Sequence, residues 1–331
     1  MLEKTLLGVA LASRQIVVTS ATRPDAESPA VTYSTSLDHV LETGDAPSVI
    51  EFIVAWVEKR KTEPGVPPAE ALGISIGGHV DSAAGRVVLA HDVVMDGEHW
   101  LDEDIGAELS DRLGIPVSVH NDVDCMTAYY LQDDRGRRAA SMAVVYLQKD
   151  LYGMGCGIAI GKRLILGASG GAGELGHMIV LPDGPRCHCG TRGCLAAAIS
   201  SGNILRDVNW GRVGSSRVSH LQGAASLADS GDTVATHAFS SAGRFLGQGL
   251  AGLINILNPD LIVLGGPKEL VREGEGGSRS AVAFLDGCRD TIRRYSYSDL
   301  AETCELVISP LDLTVGAVGS SLLAAGVVQT T

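Results

Sequence analysis

Gly167-Ala168-Ser169-Gly170-Gly171-Ala172-Gly173-Glu174-Leu175-Gly176-His177-Met178, with Cys187-His188-Cys189-Gly190-Thr191-Arg192-Gly193-Cys194-Leu195 further on, is the stretch on which the reading of the chain turns. The spacing is His177-x9-Cys187, and three thiols crowd into eight positions. Three thiolates and one imidazole make a closed tetrahedral set for Zn²⁺. Gly190 and Gly193 allow the tight turn that brings three sulfurs to one centre. Four protein ligands (His177, Cys187, Cys189, Cys194) leave no open coordination position, so the expected role of the metal is structural. His188 is an alternative ligand, but two ligands flank it and strain it away from the metal. The competing reading is three unliganded surface thiols. A zinc clip here would stiffen the loop that follows Glu174 and His177.

The rest of the composition bounds what this cluster can belong to. The chain has 331 residues, 45% hydrophobic and 20% charged, with 41 Gly and only 4% aromatic residues. That length supports two domains or one large α/β unit with a mainly aliphatic core. The balance of 26 basic and 39 acidic residues gives a net charge of −13, which repels phosphate backbones. The short basic runs Lys59 to Lys61 and Arg135 to Arg138 read as exposed helix ends. No apolar run of transmembrane length and no cleavable leader pattern is present, so a cytoplasmic location is expected. In a reducing compartment, crowded cysteines read as metal ligands before disulfides. The remaining four of the seven, Cys125, Cys156, Cys288 and Cys304, read as small apolar residues.

Local patterning gives an α/β alternation. Leu6 to Leu11 and Gln15 to Ser20 suit a hairpin, and Ala30 to Ser36 a third strand. A helix opens at Pro47 and runs to Lys61, with Val49, Ile50, Ile53, Val54 and Val57 at helical spacing. Ala71 to Ile76 reads as a buried strand ending at Gly77-Gly78. Leu101 to Leu113 reads as a helix closed by Gly114, Ile115 to His120 as a strand, and Asp122 to Gln132 as a helix. A second series starts with a strand at Ala140 to Leu147. A hairpin, Gly155 to Ile160 with Arg163 to Leu166, and a strand at Met178 to Leu181 follow. His237 to Asn258 is one long helix. Asp260 to Leu264 is a strand ending at Gly265-Gly266-Pro267, and the polar stretch to Arg279 reads as a mobile loop. A helix, a strand at Glu305 to Ser309 and a helix at Val315 to Val327 close the chain. The echo of the first series in the second suggests two related lobes, with a site where strand ends and Gly turns meet.

The opening stretch resembles the signature of the ROK family, bacterial sugar kinases and sugar-responsive repressors. Ala71 to Asp81, Pro116 to Asp124 and Leu257 to Gly266 resemble further segments of that family. The resemblance implies a two-lobed actin-like ATPase (ribonuclease H-like) fold of the α/β class, with an interlobe cleft and a structural zinc loop at 177–194. The first lobe would be 1–121 with about 311–331, and the second 122–310. Gly78, Asn121, Asp122, Glu174 and His177 would contact a sugar or sugar phosphate, and Asp122 would be the general base. Read on its own, Asn121-Asp122 is also a helix N-cap. His177 would bind zinc through one nitrogen and lie near a sugar hydroxyl through the other. A homodimer or higher oligomer is a further implication.

Several positions depart from the family's pattern. Its cysteine motif continues Gly-Cys-x-Glu, whereas Cys194-Leu195 is followed here by Ala196. Gly78-His79 replaces a usual Pro-Gly pair. Where its kinases carry Asp-x-Gly-Gly-Thr-Lys, this chain has Ala10-Leu11-Ala12-Ser13-Arg14-Gln15. The second phosphate loop, Gly-Thr-Gly-x-Gly in the family, reads Gly153-Met154-Gly155-Cys156-Gly157, without the hydroxyl. The adenosine turn keeps Gly265 and Gly266 but adds Pro267, which removes a backbone donor. The nucleotide site at Gly153, Gly155, Gly157, Gly265 and Gly266 is therefore expected to be degenerate. The expected function is a non-catalytic, regulator-like sugar sensor. The alternative is an active ATP- and Mg-dependent kinase of a hexose or amino sugar. The family's repressors carry a winged helix-turn-helix, and the 331 residues are expected to be filled by the two lobes alone. Direct DNA binding by this chain and membrane association are not expected.

Overall fold

The computed structural model describes residues 4–12, 15–23, 32–41, 45–90, 100–148, 153–274 and 277–331. Along the chain run β1 (Lys4–Ala12), β2 (Gln15–Arg23), β3 (Thr32–Val40), α1 (Ala46–Lys61), β4 (Ala69–Ile76), β5 (His79–Asp81), β6 (Arg86–Ala90), β7 (Trp100–Glu103), α2 (Ile105–Leu113), β8 (Val117–Asn121) and α3 (Asp122–Tyr130). The next elements are β9 (Ser141–Leu147), β10 (Met154–Ile160), β11 (Arg163–Leu164), α4 (Leu195–Ala198), α5 (Ser201–Val208), α6 (Leu221–Asp229) and α7 (Thr233–Leu257). The chain ends with β12 (Leu261–Gly265), α8 (Arg279–Tyr295), α9 (Ser298–Thr303), β13 (Glu305–Ile308), α10 (Leu313–Ala324) and β14 (Gln329–Thr330). These form two compact units. Unit 1 is Met1–Arg138, Gly157–Ala172 and Leu311–Thr331; unit 2 is Ala139–Cys156 and Gly173–Pro310.

Unit 1 is built on a five-stranded sheet in the order β3-β2-β1-β4-β8. β1 and β2 form the expected antiparallel hairpin, paired from Lys4↔Arg23 to Ala12↔Gln15. β4 then runs parallel to β1, and β8 parallel to β4. Period-2 alternation puts Leu7, Val9, Leu11, Ile74, Ile76 and Val119 on one face, buried with Val49, Ile53 and Val57 of α1. Helix α1 starts where the Asp45 carboxylate accepts from Ser48 N–H at 2.9 Å, with Pro47 in the first turn.

Helix α10 covers the opposite face at backbone-contact distance. A Cβ on Gly8 would stand 1.8 Å from the Ala317 carbonyl oxygen, one on Gly73 1.9 Å from that of Ser320, and one on Gly319 1.7 Å from that of Cys125. The last contact is with α3, so α3 packs with α10 in unit 1. The unit boundary accordingly lies at Arg138, whereas the sequence suggested 121.

In unit 2, β12 runs parallel to β9 and to β13, and all five β12 residues are buried. Helices α7 and α8 pack closely through glycine: a Cβ on Gly243 would meet the Phe284 carbonyl oxygen at 1.9 Å. Asp232 and Ser278 cap their N-termini through Ala235 and Ala281 N–H.

The structure corrects three local expectations. The segment from Leu101 is not helical until Ile105, because Trp100–Glu103 pairs with β6 and buries Trp100 while Leu101 faces out. Met178 to Leu181 is no strand. Ile179 forms only a bridge with Cys194, and the N–H groups of Val180 and Leu181 both go to the Gly193 carbonyl. The stretch after Gly266 is anchored at Leu270 and Val271, which are buried and donate to the Pro267 carbonyl. Ser13, Arg14, Ala30 and Val31 lie outside the described residues.

Candidate functional site

The cysteine loop of unit 2 is shaped by backbone pairing. Cys187 N–H donates to the Thr191 carbonyl at 2.8 Å, Gly190 N–H to that of Cys187 at 3.0 Å, and Leu195 N–H to that of Met178 at 2.8 Å. Gly190 and Gly193 have φ of +89° and +78°, the left-handed region that glycine enters without cost. Leu195 and Leu175 then seat the loop on α7, where Gly249 leaves room for them.

The ligand atoms of His177, Cys187, Cys189 and Cys194 all lie within 4.8 Å of one another. Cys189 Sγ and Cys194 Sγ are 3.7 Å apart, and Cys187 Sγ is 3.7 Å from His177 Nδ1. Two thiolates on a tetrahedral zinc stand about 3.8 Å apart at Zn–S distances of about 2.3 Å. The donor set therefore fits Zn²⁺ in number, type and spacing. His188 turns its ring edge-on to His177 at 5.2 Å, with Nδ1 3.9 Å from Cys187 Sγ. The thiols differ in acidity. The Thr191 N–H holds Cys189 down to about 6, while burial pushes Cys194 up to about 12 and raises Cys187.

With Nδ1 of His177 facing sulfur, Nε2 faces the other way, 3.6 Å from Glu174 Oε2. Glu174 opens the short 3₁₀ turn Leu175–His177, and its carbonyl accepts from His177 N–H. Gly176, inside that turn, is roofed by apolar groups. A Cβ there would meet Met154 Cγ at 2.8 Å and Ala196 Cβ at 3.5 Å. Two of the positions that depart from the family pattern thus meet at one glycine, a convergence with no signal in the linear sequence.

In unit 1, Asn121 caps α3: Oδ1 accepts from Val123 N–H at 2.9 Å, and Nδ2 donates to the Gly78 carbonyl at 2.8 Å. The helix-cap reading of Asn121 therefore holds, and Gly78 and Asn121 are brought together. Asp122 Oδ1 also accepts from Val123 N–H. Gly78 has φ +125°, and a Cβ on it would meet the Leu89 carbonyl at 2.3 Å. The next residue, His79, bonds through Nε2 to the Ser169 carbonyl at 2.9 Å. A Cβ on Gly170 would stand 2.4 Å from the Val80 carbonyl oxygen. The first half of the Gly-rich signature therefore lies on β5, and His79 was not foreseen as its anchor.

The expected phosphate elements have mixed surroundings. Ala10 is fully buried in an apolar cluster with Val17, Ala317 and Leu313. Its register partners are Val17 and Ser75. Gly157 lies against Thr127 and the Val123 carbonyl in unit 1, and Gly153 against the Gln148 amide in unit 2. Gly265 ends β12, and a Cβ on Gly266 would meet Leu147 Cβ at 2.7 Å.

The sequence pattern that defines the ROK family matches residues 45–326. The chain belongs to the ROK family. It is 30% identical over 269 residues to a glucokinase of Thermotoga maritima, covering 76% of this chain and 78% of that one. It is 27% identical over 223 residues to the xylose repressor of Bacillus subtilis, covering 67% of this chain and 54% of the repressor. The chain thus spans about half the length of that repressor. Among solved structures, a ROK glucokinase of Streptomyces griseus in complex with glucose and AMPPNP superposes with TM-score 0.72 at 25% identity, over 97% of this chain and 99% of that one. The fold is the two-lobed actin-like kinase fold of ROK proteins, and this ROK chain has both kinases and regulators among its relatives. Among the described residues, no helix is long and apolar enough to cross a membrane.

Proposed function

We propose that this chain is a regulator-like ROK protein that binds a sugar or sugar phosphate and has lost efficient phosphoryl transfer. The observation that carries the reading is Ala10. Where the family resemblance calls for a metal-side carboxylate, this side chain lies buried among Val17, Leu313 and Ala317. Phosphoryl transfer depends on positioning and charge stabilisation, so loss of that carboxylate costs several orders of magnitude in rate. Met154, packed on Gly176, takes the hydroxyl out of the second phosphate loop. Asn121, Asp122, Glu174 and His177 are the proposed sugar contacts, with Gly78 fixing Asn121 through its carbonyl. His177, Cys187, Cys189 and Cys194 would hold a structural zinc, which stiffens the turn carrying Glu174.

A second reading, an ATP- and Mg-dependent kinase of a hexose or amino sugar, is favoured by Asp122 at the N-terminus of α3. A carboxylate there can accept the proton of an attacking hydroxyl. A coupled ATP-consumption assay across hexoses and amino sugars, paired with calorimetric binding of the same sugars, separates the two. Binding without turnover is expected. Turnover that vanishes in Asp122→Asn would establish the kinase reading in its place.

A further inference from the structure

Of the seven cysteines, all among the described residues, Cys189 alone is exposed. Its Sγ lies 3.7 Å from Cys194 Sγ. The two sit differently in their loop. Cys194 is fully buried and bridged to Ile179, and the next N–H, that of Leu195, donates to the Met178 carbonyl at 2.8 Å. A Cβ on Gly193 would meet the Leu181 carbonyl oxygen at 1.8 Å, so that side of the loop has no slack. Gly190, beside Cys189, has nothing within 4 Å of where a Cβ would stand. A small oxidant arriving from solvent therefore meets Cys189 first, with the Cys194 sulfur as its neighbour. Cys187 is a poorer second partner. It is buried, its N–H is held by the Thr191 carbonyl, and its Sγ stands 3.7 Å from His177 Nδ1. A bond from it to Cys189 would close a strained ring across the single residue His188.

We propose that Cys189 and Cys194 form a site of reversible oxidation by a hydroperoxide, which joins them in a disulfide and displaces the zinc. The displacement rests on the zinc assignment above; the pairing of the two sulfurs does not. The Cys189 sulfur attacks the hydroperoxide: an S–O bond forms, the O–O bond breaks, and water or an alcohol leaves after taking a proton from solvent. The Cys194 sulfur then attacks the Cys189 sulfur. An S–S bond of about 2.05 Å forms, the S–O bond breaks, and hydroxide leaves as water after taking a second proton. The two sulfurs give up two electrons in all, and the hydroperoxide takes them. The product keeps only His177 and Cys187 of the four donors, too few for a closed tetrahedral site. A dithiol reverses the step by exchange and is itself oxidised to a disulfide.

The test treats the full chain with a slight molar excess of hydrogen peroxide and reads zinc release with a chromogenic chelator and disulfides by non-reducing peptide mapping. Trypsin cuts after Arg186 and Arg192, which puts Cys194 on a different peptide from Cys187 and Cys189 unless a disulfide holds them. The expected product is the linked pair, assigned to Cys189 and Cys194 by fragmentation, with about one zinc released for each two thiols lost. Dithiothreitol with added zinc should restore both. Cys187→Ser should form the same link, and the map of the unaltered chain decides the pairing if that variant does not fold. Metal content measured beforehand separates the two readings: a chain without zinc that still forms the link refutes the zinc assignment and supports the pair. A Cys187–Cys189 or Cys187–Cys194 link, Cys189 oxidised to the sulfinic acid without a link, or unchanged thiols would overturn the proposal.

Discussion

At Gly193 the φ of +78° coincides with a Leu181 carbonyl oxygen 1.8 Å from where a Cβ would stand. No other residue fits without moving the strand-like pairing that holds Cys194 beside Ile179. The thiols themselves are legible in the sequence, because Cys187-x-Cys189 and Cys194 share a spacing that few other needs explain. The orientation of His177 is not, since it depends on the 3₁₀ turn that Gly176 permits beneath Met154 and Ala196. Because the unfolded chain lacks a formed site, zinc binding energy is folding energy. The chain is expected to carry one zinc, and chelation should lower its melting temperature by roughly 5 °C or more. Cys194→Ser should lose the metal and melt like the chelated chain, with no further response to chelator. Metal analysis by atomic emission and melting with and without chelator check both. An unchanged melting curve for metal-free protein would refute the structural role.

Between elements, the seating of α10 on unit 1 depends on glycines at the contact. Gly8 and Gly73 on the strands and Gly319 on the helix each leave a gap that a single methyl would close, against carbonyl oxygens at 1.7–1.9 Å. A backbone carbonyl cannot swing aside as a side chain can, so the helix would have to lift. Gly73→Ala is expected to destabilise by about 2–4 kcal/mol through overpacking. Gly114→Ala, at the left-handed end of α2 with open space around it, should cost only about 1 kcal/mol of backbone strain. Urea unfolding of both variants makes the comparison, and equal losses would show that backbone conformation, not the helix contact, sets the cost. The strands and helices at this contact were foreseen from hydrophobic period. The glycine contacts were not, because 41 glycines are spread along the chain and nothing local marks those that a carbonyl approaches.

Over the whole molecule, the two-part division and most of the elements follow from sequence period, because aliphatic alternation and helical spacing are local signals. The small sheet β5-β6-β7 and the joining of α3 to unit 1 depend on contacts between distant segments, which leave no periodic trace. One such contact gives the fold a pH dependence. His120 lies on β8 opposite Ser75, buried, with Nδ1 lacking a partner among the described residues. Burial lowers its pKa from 6.5 to about 4. The imidazole therefore stays neutral in the folded chain while the unfolded chain takes up a proton below about pH 6.5. More protons bound to the unfolded state means that stability falls as pH falls. The contribution is complete above the unfolded value and is lost progressively as pH drops toward 4, about 2 kcal/mol of it by pH 5 and about 3 kcal/mol in all. The carboxylates held down by their partners, Glu51 by the Arg112 guanidinium and Asp232 by the Ala235 N–H, act in the same direction at lower pH. With zinc removed, so that no proton competes for metal ligands, the slope between pH 6.5 and 5 belongs mainly to His120. Urea midpoints of the metal-free protein measured at pH 7.5, 6 and 5 should decline for the unaltered chain and stay nearly level for His120→Asn, which cannot take up the proton. Parallel declines in the two proteins would show that the acid sensitivity resides elsewhere.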